Sequence, residues 1–358
     1  MLGIARRTTV GAVIVVAIAV IPVVVLAANG LNANGKPSTT HGPKKTPGPT
    51  SVVTSPPTAA PTLVITPPPT APPTAPPTAP PTVPPTAPPT SVVLIGAGDI
   101  ASCASTGDET TASMLTGIAG TVFTLGDNAY ESGSASEYTN CYGPSWGQPS
   151  IKSRTKPVPG NHEYNTANAT GYYNYFGAAA GDPTKGYYAY DLGAWRIYVL
   201  NTNTGTCSVV ACAAGSTQEL WLKGDLAANP RQCVIAMWHH PRFSSGQHGN
   251  NTVSSAIWQD LYDAHADLIL NGHDHTYERF APQNPSGALD TTNGIVEIVA
   301  GTGGKDHYSF ATIRANSLVR DNTASGLLKL TLSAGSWTFQ FIPEPGKSFT
   351  DSGTGTCH

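Results

Sequence analysis

The chain has 358 residues, of which 11% are charged, and its 19 Lys and Arg nearly balance its 22 Asp and Glu. This length allows more than one domain. A net charge of -3 gives no electrostatic reason to expect a nucleic acid or an anionic membrane surface as a partner. If the substrate is an anion, a local feature such as a bound metal must attract it.

Residues 1–30 have the pattern of an export segment. Arg6 and Arg7 precede an uncharged, mostly apolar run over 10–28 that ends in small residues, which is typical of a secretory signal peptide. The run is also long enough to cross a bilayer as a retained anchor, although Pro22 shortens its best helical stretch and favours cleavage. The sequence predicts an exported protein, either secreted or held at the cell surface.

Residues 31–90 are dominated by Pro, Thr and Ala, and the unit Ala-Pro-Pro-Thr repeats over 71–90. Pro lacks a backbone donor and fixes its own φ, so this composition predicts an extended polyproline II segment without a core. We interpret it as a disordered stalk that tethers a catalytic domain to a membrane or cell wall. A spacer without a specific role is the alternative.

Six cysteines follow this segment, and an even number behind an export signal predicts disulfides, with fifteen possible connectivities. Cys207 and Cys212 are close neighbours in a loop of small residues and are the favoured pair. Zinc binding is disfavoured because the spacings match no common thiolate site. The six are Cys103, Cys141, Cys207, Cys212, Cys233 and Cys357.

Residues 91–358 repeat one unit, in which a short apolar run ends in a loop of residues that can bind metal. Such runs are typical of strands buried on both faces. The runs cover 92–95, 121–125, 157–159, 233–238 and 267–270. The loops after them are Gly98-Asp99, Gly126-Asp127-Asn128-Ala129-Tyr130, Gly160-Asn161-His162-Glu163, His239-His240-Pro241 and Asn271-Gly272-His273-Asp274-His275.

Helices are predicted between these units, over 108–118, 216–228 and 254–264. The second has the strongest support, because Ser216 and Glu219 fit a capping box and Glu219 lies four residues before Lys223.

After Ile295 the pattern changes to strand and turn, with a loop over 301–304 and a hairpin of 327–332 and 337–342. Strands that alternate with helices and carry polar loops at their carboxyl ends predict an α/β domain with a site along that edge. A structural explanation of all five loops would need five separate coincidences. Carboxylate, imidazole and amide ligands together favour iron, manganese or zinc over calcium or magnesium.

The five ordered loops resemble the sequence blocks of the calcineurin-like metallophosphoesterases, and the likeness covers about 91–304. Many members carry a His two residues after the first Asp, and the family usually has Gly in this loop, where the chain has Ala101. The purple acid phosphatase branch lacks this His and has a Tyr three residues after the second Asp, the position of Tyr130. The segment 276–279 is also similar to that branch.

The resemblance implies a centre of two metal ions, Fe(III) with a divalent Fe, Zn or Mn. It implies that the first ion is held by Asp99, Asp127, Tyr130 and His275. It implies that Asp127 bridges to the second ion, which is also held by Asn161, His239 and His273. His240 is a weaker substitute for His239, because the family pattern has its His two residues before Pro.

The resemblance also places His162, which follows Asn161, beside the substrate as a phosphate-binding group or a general acid. His248 lies where related plant enzymes carry a substrate-facing His, and a plain loop His is the alternative. Glu163 could orient a ligand from behind the centre. The catalytic candidates are therefore His162, Asn161 and His248.

The implied fold is of mixed α and β class: a sandwich of two β-sheets flanked by helices, with the metals at the carboxyl edge of the strands. The implied reaction is in-line attack by a metal-bound hydroxide on a small phosphate monoester. A phosphodiesterase, nucleotidase or phytase with the same metals is the nearest alternative. A stalk-borne surface protein that keeps the fold only for binding is a rival from another class.

Overall fold

The computed structural model describes residues 91–358. The predicted export segment, 1–30, and the predicted stalk, 31–90, lie outside the described residues. The described part is built around two β-sheets that pack face to face, as predicted.

The first sheet has six strands in the order β15-β14-β13-β1-β3-β5. Strands β1, β3 and β5 run parallel along one half of this sheet, and β13, β14 and β15 form the other half as antiparallel neighbours. The strands are β1 Ser91–Ala97, β3 Thr121–Thr124, β5 Thr155–Lys156, β13 Gly326–Ser333, β14 Ser336–Pro343 and β15 Ser352–Thr356.

The second sheet has seven strands in the order β12-β10-β11-β9-β8-β7-β6. Strands β7, β8, β9 and β11 run parallel, and the outer strands pair antiparallel. The strands are β6 Tyr188–Leu192, β7 Trp195–Val199, β8 Cys233–Met237, β9 Leu268–Asn271, β10 Tyr277–Phe280, β11 Val296–Ala300 and β12 Ser317–Asp321. A separate pair joins β2 Ala101–Ser102 to β4 Ala129–Tyr130.

Alternating residues of the central strands face opposite sides of each sheet, as the pleat requires. Ile235 of β8 belongs to the core between the two sheets, whereas its neighbours Val234 and Ala236 face the helices on the outer side. Leu94 and Ile95 of β1 divide in the same way between the inner core and the outer layer. These strands are therefore apolar throughout because both of their faces are buried.

The helices cover the outer faces of the sheets. All three predicted helices are present, and Ser216 caps α5 by accepting a hydrogen bond from the Glu219 N–H at 3.2 Å. The second half of the predicted capping box is wrong, because the Glu219 carboxylate accepts from Gly215 N and ion-pairs with Lys223 instead. The helices are α1 Gly107–Thr116, α2 Ala135–Glu137, α3 Pro149–Lys152, α4 Thr170–Phe176, α5 Thr217–Ala228 and α6 Ser255–Asp263. Short π and 3-10 turns cover Tyr138–Tyr142, His162–Asn165, Ala167–Ala169 and Gly177–Ala180.

The strand predicted over 157–159 is displaced, since β5 ends at Lys156. Pro157 and Pro159 have no N–H to give to a neighbouring strand, and Val158 N donates to the Thr124 hydroxyl rather than to a ladder. The predicted hairpin is confirmed by β13 and β14.

The three disulfides join Cys103 to Cys141, Cys207 to Cys212, and Cys233 to Cys357. All six cysteines are therefore paired, and the favoured pair is confirmed. Among the helices within residues 91–358, none combines the length and apolar character that a bilayer span requires.

Candidate metal centre

The carboxyl ends of the parallel strands in both sheets meet at one edge, and the predicted ligand loops lie there. Asp99 follows β1 and Asp127 follows β3, while His239 follows β8 and His273 follows β9. Asp99, Asp127 and His273 have positive φ angles of 59, 50 and 73 degrees. This region is uncommon for residues other than Gly, and such outliers concentrate at functional sites.

A glycine before two of these loops leaves room for the carboxylates. A Cβ on Gly272 would lie 2.6 Å from Asp99 Oδ2, and a Cβ on Gly160 would overlap Asp127 Oδ1. Any larger residue at these positions would push the carboxylate away from the site.

Ala101 gives the first loop a defined shape. Ala101 and Ser102 pair in parallel with Ala129 and Tyr130, so a two-residue ladder ties the first loop to the second. This pairing carries the Tyr130 side chain to Asp99. Ala101 is fully buried, and no imidazole at this position is needed to bring the loops together.

Three of the other predicted ligands converge on the Tyr130 hydroxyl. It lies 2.9 Å from Asp99 Oδ1, 3.3 Å from Asp127 Oδ2 and 3.0 Å from His275 Nε2. One phenol hydrogen cannot satisfy three acceptors. A cation within this group would be held by oxygen and nitrogen ligands on several sides.

The predicted second set lies on the other side of Asp127. His239 Nε2 is 3.1 Å from Asp127 Oδ2, and the ligand atoms of Asp99, Asp127 and His239 lie within 4.8 Å of one another. The His273 ring centroid is 5.1 Å from that of His239. Asn161 Oδ1 is buried without a hydrogen-bond partner among the described residues.

Backbone carbonyls fix the orientation of two imidazoles. His239 Nδ1 donates to Leu125 O at 2.7 Å, and His275 Nδ1 donates to Asp306 O at 2.6 Å. A carbonyl only accepts, so each ring carries a hydrogen on Nδ1 and leaves Nε2, which faces the carboxylates, to take either a metal ion or a proton. This arrangement is typical of histidines that ligate metal.

The pKa values of the central pair show how strongly its members interact. Burial alone would raise the pKa of Asp127, but the imidazoles of His239 and His162 outweigh burial and hold that pKa well below its usual range. Burial lowers the pKa of His239, whereas the charges of Asp127 and Asp99 outweigh it and raise that pKa to about 9. A proton on His239 therefore neutralises Asp127 when no other cation does.

Glu163 holds the second loop from behind. Its buried carboxylate accepts hydrogen bonds from the N–H groups of Asp127, Asn128 and Gly160 at 2.6–3.0 Å. The Tyr138 hydroxyl adds a further donor at 3.1 Å. The Glu163 carboxylate thus positions the backbone of the Asp127 loop, and it does not contact a ligand side chain directly.

His162 lies at the rim of the centre, with a quarter of its side chain exposed. The backbone N–H of His162 donates to Asp127 Oδ1 at 2.8 Å, and its ring Nδ1–H donates to the backbone carbonyl of Glu131 at 2.7 Å. His162 Nε2 is 3.8 Å from Asp127 Oδ2. The ring is therefore close enough to the centre to meet a bound substrate.

His248 lies beside the predicted ligand His273. Its ring centroid is 4.3 Å from that of His273, and its backbone N–H donates to Asp274 Oδ1 at 2.9 Å. Asp274, which is buried, also accepts from the Ser244 hydroxyl, so it fixes both ends of the loop that carries His248. The sequence shows Asp274 only as a member of a motif, with no sign of this role.

A polar cleft of about 450 Å³ opens beside this part of the centre. The cleft is lined by Asn161, Asn165, Thr204, Gly205, His240, His248, Gly249, Asn250, Asn251 and His273. Burial and the neighbouring His239 hold the pKa of His240 well below its usual range, so this ring is neutral.

Tyr308 is a site residue that the sequence analysis missed. Its ring stacks on His275 with centroids 3.8 Å apart and planes 13 degrees apart. It lies in the loop after β11, far from every motif, and no local signal in the sequence indicates it.

The residues present fit a pair of metal ions. The structure brings all seven predicted ligands to one edge, and one of their ligand atoms, Asn161 Oδ1, is buried without a partner among residues 91–358. A mixture of carboxylate, imidazole, phenol and amide groups suits iron, zinc or manganese.

The chain is similar to known proteins in sequence and in fold. The sequence profile of the calcineurin-like phosphoesterase family matches residues 96–277. Purple acid phosphatase 15 of Arabidopsis thaliana is 32% identical over 124 residues, which cover 33% of this chain and 22% of that protein. An uncharacterized protein of Mycobacterium tuberculosis is 27% identical over 184 residues, which cover 41% of this chain and 35% of that protein.

Among solved structures, a purple acid phosphatase from seeds of yellow lupin (Lupinus luteus) has a similar fold. The TM-score is 0.63 at 20% sequence identity, and the match covers 74% of this chain and 53% of that one. The chain thus spans about a third or less of the curated relatives it matches and about half of this structure.

Proposed function

The chain belongs to the calcineurin-like phosphoesterase family, and we propose that it is an exported acid phosphatase-like enzyme that hydrolyses small phosphate monoesters. The observation that carries this proposal is the convergence of Asp99, Asp127, Tyr130 and His275 on one point, with His239 Nε2 beside it, 3.1 Å from Asp127 Oδ2.

Two groups of ligands would hold the metals. Asp127 would be shared, because its carboxylate lies between the Tyr130 hydroxyl and His239 Nε2. Asp99, Tyr130 and His275 would complete one side, and Asn161, His239 and His273 the other. When bound, two such cations supply Lewis acidity toward phosphoryl oxygens and a water nucleophile near neutral pH.

The protein's own groups would orient the substrate and move the proton. His162 Nδ1 is committed to Glu131 O, so only Nε2 can give a proton to the leaving oxygen. His248 faces the same space from the opposite loop and would bind the phosphoryl group. Asp274 and Glu163 hold these two loops in place through backbone N–H groups.

Tyr130 indicates the character of one metal. Burial and the charges of Asp99 and Asp127 raise the pKa of the Tyr130 phenol well above its usual value. A phenolate at neutral pH therefore requires a strongly acidic cation beside it, and ferric iron meets this need better than a divalent ion. We propose Fe(III) on the side of Tyr130 and a divalent Fe, Zn or Mn on the side of His273.

Export is supported by the three disulfides, which persist in oxidising compartments. The apolar segment within 1–30 and the Pro-rich segment 31–90 would deliver the enzyme and hold it away from a membrane or wall.

The test is phosphate release by the purified, metal-loaded chain from aryl and alkyl monoesters and from the matching diesters. We expect two metals per chain, hydrolysis of monoesters in preference to diesters, and loss of activity after chelation. Preference for diesters would move the assignment to a phosphodiesterase. Two bound metals without hydrolysis of any ester would reject an enzyme and favour the binding protein.

A further inference from the structure

His240 follows His239 directly, yet its ring has a different kind of partner. His240 Nδ1 lies 2.8 Å from the hydroxyl of Thr202, and the backbone N–H of His240 approaches the same hydroxyl at 3.3 Å. Thr202 is fully buried and His240 is nearly so. This pair lies against the polar cleft but was not part of the expected centre, apart from His240 as a substitute ligand.

The Thr202 hydroxyl determines where the hydrogen of the His240 ring lies. A buried hydroxyl hydrogen needs an acceptor, and His240 Nδ1 is the one acceptor that this hydroxyl meets among residues 91–358. The hydroxyl therefore donates to Nδ1, which carries a lone pair. In a neutral imidazole the hydrogen is then on Nε2.

This is the reverse of the arrangement in His239 and His275. Those two rings donate from Nδ1 to carbonyl oxygens, so their Nε2 is the nitrogen that can supply a lone pair to a metal. His240 instead presents an N–H at Nε2. Its ligand atom lies within 4.8 Å of those of His239 and His273, but a hydrogen occupies the position that a metal would require.

The donor faces the cleft rather than the protein interior. His240 lines the cleft, and its ring centroid is 4.2 Å from that of His273. A Cβ on Gly205 would lie 2.9 Å from His240 Nε2, so the absence of a side chain there keeps the nitrogen accessible. No described residue accepts a hydrogen bond from this Nε2.

We propose that His240 is a substrate-binding residue whose Nε2–H donates a hydrogen bond to an oxygen of the phosphoryl group bound in the cleft. Thr202 is the positioning residue that keeps the hydrogen on that nitrogen. The inference rests on the proposed function, since it needs a phosphoryl group beside His273. It assigns the second His of His239-His240-Pro241 to the substrate instead of the metal.

The test is the affinity of inorganic phosphate for the metal-loaded chain, measured by calorimetry together with metal content. His240→Leu removes the donor, and His240→Gln keeps an N–H donor near the same place. A hydrogen bond to a charged group corresponds to about 10- to 100-fold in affinity. We expect His240→Leu to lose phosphate affinity by about this factor while retaining two metals, and His240→Gln to recover part of it.

Thr202 provides a matched pair of variants. Thr202→Val removes the hydroxyl at nearly constant volume and should weaken phosphate binding, because the ring hydrogen is no longer confined to Nε2. Thr202→Ser keeps the hydroxyl and should bind phosphate like the unchanged chain. If a substitution prevents folding, ¹⁵N NMR of the zinc-loaded unchanged chain still reports which ring nitrogen of His240 carries the hydrogen.

Four results would overturn the inference. Metal loss in His240→Leu equal to that in His239→Leu would make His240 a ligand, and unchanged phosphate affinity in His240→Leu would remove it from the substrate. Hydrogen on Nδ1 by NMR would contradict the role of Thr202. If the unchanged chain binds no phosphate, His240 Nε2–H has no phosphoryl oxygen to donate to, and the inference fails. Phosphate binding without ester hydrolysis would instead reject the proposed function and leave the role of His240 intact.

Discussion

The two sides of the candidate metal centre differ in how far their ligands are satisfied by the protein. On the closed side, Asp99, Tyr130 and His275 are buried and bonded to one another, and Tyr308 covers His275. On the open side, His273 and Asn161 are only partly buried and line the polar cleft.

This difference suits the closed side to holding a metal ion and the open side to exchanging substrate and product. Ligands that are packed and hydrogen-bonded on the closed side are preorganised for one ion. Ligands that border a cleft can accept a changing partner such as substrate or product. Asp127 lies between the sides, since it is close to Tyr130 on one and to His239 on the other.

The largest effect is expected from Asp127, because it is the group common to both sides. Asp127→Asn should lose metal from both sides and reduce activity to background, as measured by elemental analysis and ester hydrolysis. Asp108→Asn is the matched control, because Asp108 is equally buried but contacts Ser145 away from the centre. Retention of one full equivalent of metal in Asp127→Asn would show that the two sides are independent.

His162 should act on turnover and not on metal binding, because it lies at the rim with its Nε2 free. His162→Ala should retain both metals and lose about 10²–10⁴-fold in kcat if the residue is a general acid. The loss should be larger for alkyl esters, whose leaving oxygens need the proton, than for aryl esters. Equal losses for both would make His162 a phosphate-binding group. His265→Asn is the control. It removes an exposed imidazole, and Asn tolerates the positive backbone φ of this residue.

His248 tests whether the open side binds the substrate. His248→Ala should retain both metals and lower the affinity for inorganic phosphate by about 10-fold, which is the effect of losing one hydrogen bond to a charged group. The same variant should raise KM more than it lowers kcat. No change in either constant would return His248 to a plain loop residue.

Tyr130 should have the smallest effect on turnover and a distinct spectroscopic one. Tyr130→Phe removes one of four ligands from the closed side, where Asp99, Asp127 and His275 remain. We expect the oxidised, iron-loaded chain to be coloured by phenolate-to-iron charge transfer, and Tyr130→Phe to be colourless with less than about 10-fold loss of activity. A colour that persists in Tyr130→Phe would exclude phenolate ligation.

The order of the ligand loops could be read from the sequence because each loop directly follows a strand. Apolar runs buried on both faces are local patterns, and parallel strands carry their carboxyl ends to one edge. This logic predicted an α/β domain with a site along that edge, whereas the two-sheet sandwich was implied by the family resemblance. The three helices and the hairpin were read from the segments between the loops and after Ile295. It misplaced the strand near Val158, where two prolines prevent a ladder.

What the sequence by itself determined is which residue types reach the edge of the sheets, because strand and loop are separated by only a few residues. The tertiary structure decided what each side chain meets there. Tyr308 stacks on His275 across 33 residues of chain, and Thr202 reaches His240 across 38. His239 and His240 are identical and adjacent in sequence, yet a carbonyl faces one and a hydroxyl the other. The position of a single hydrogen therefore depends on distant partners, and no local pattern can specify it.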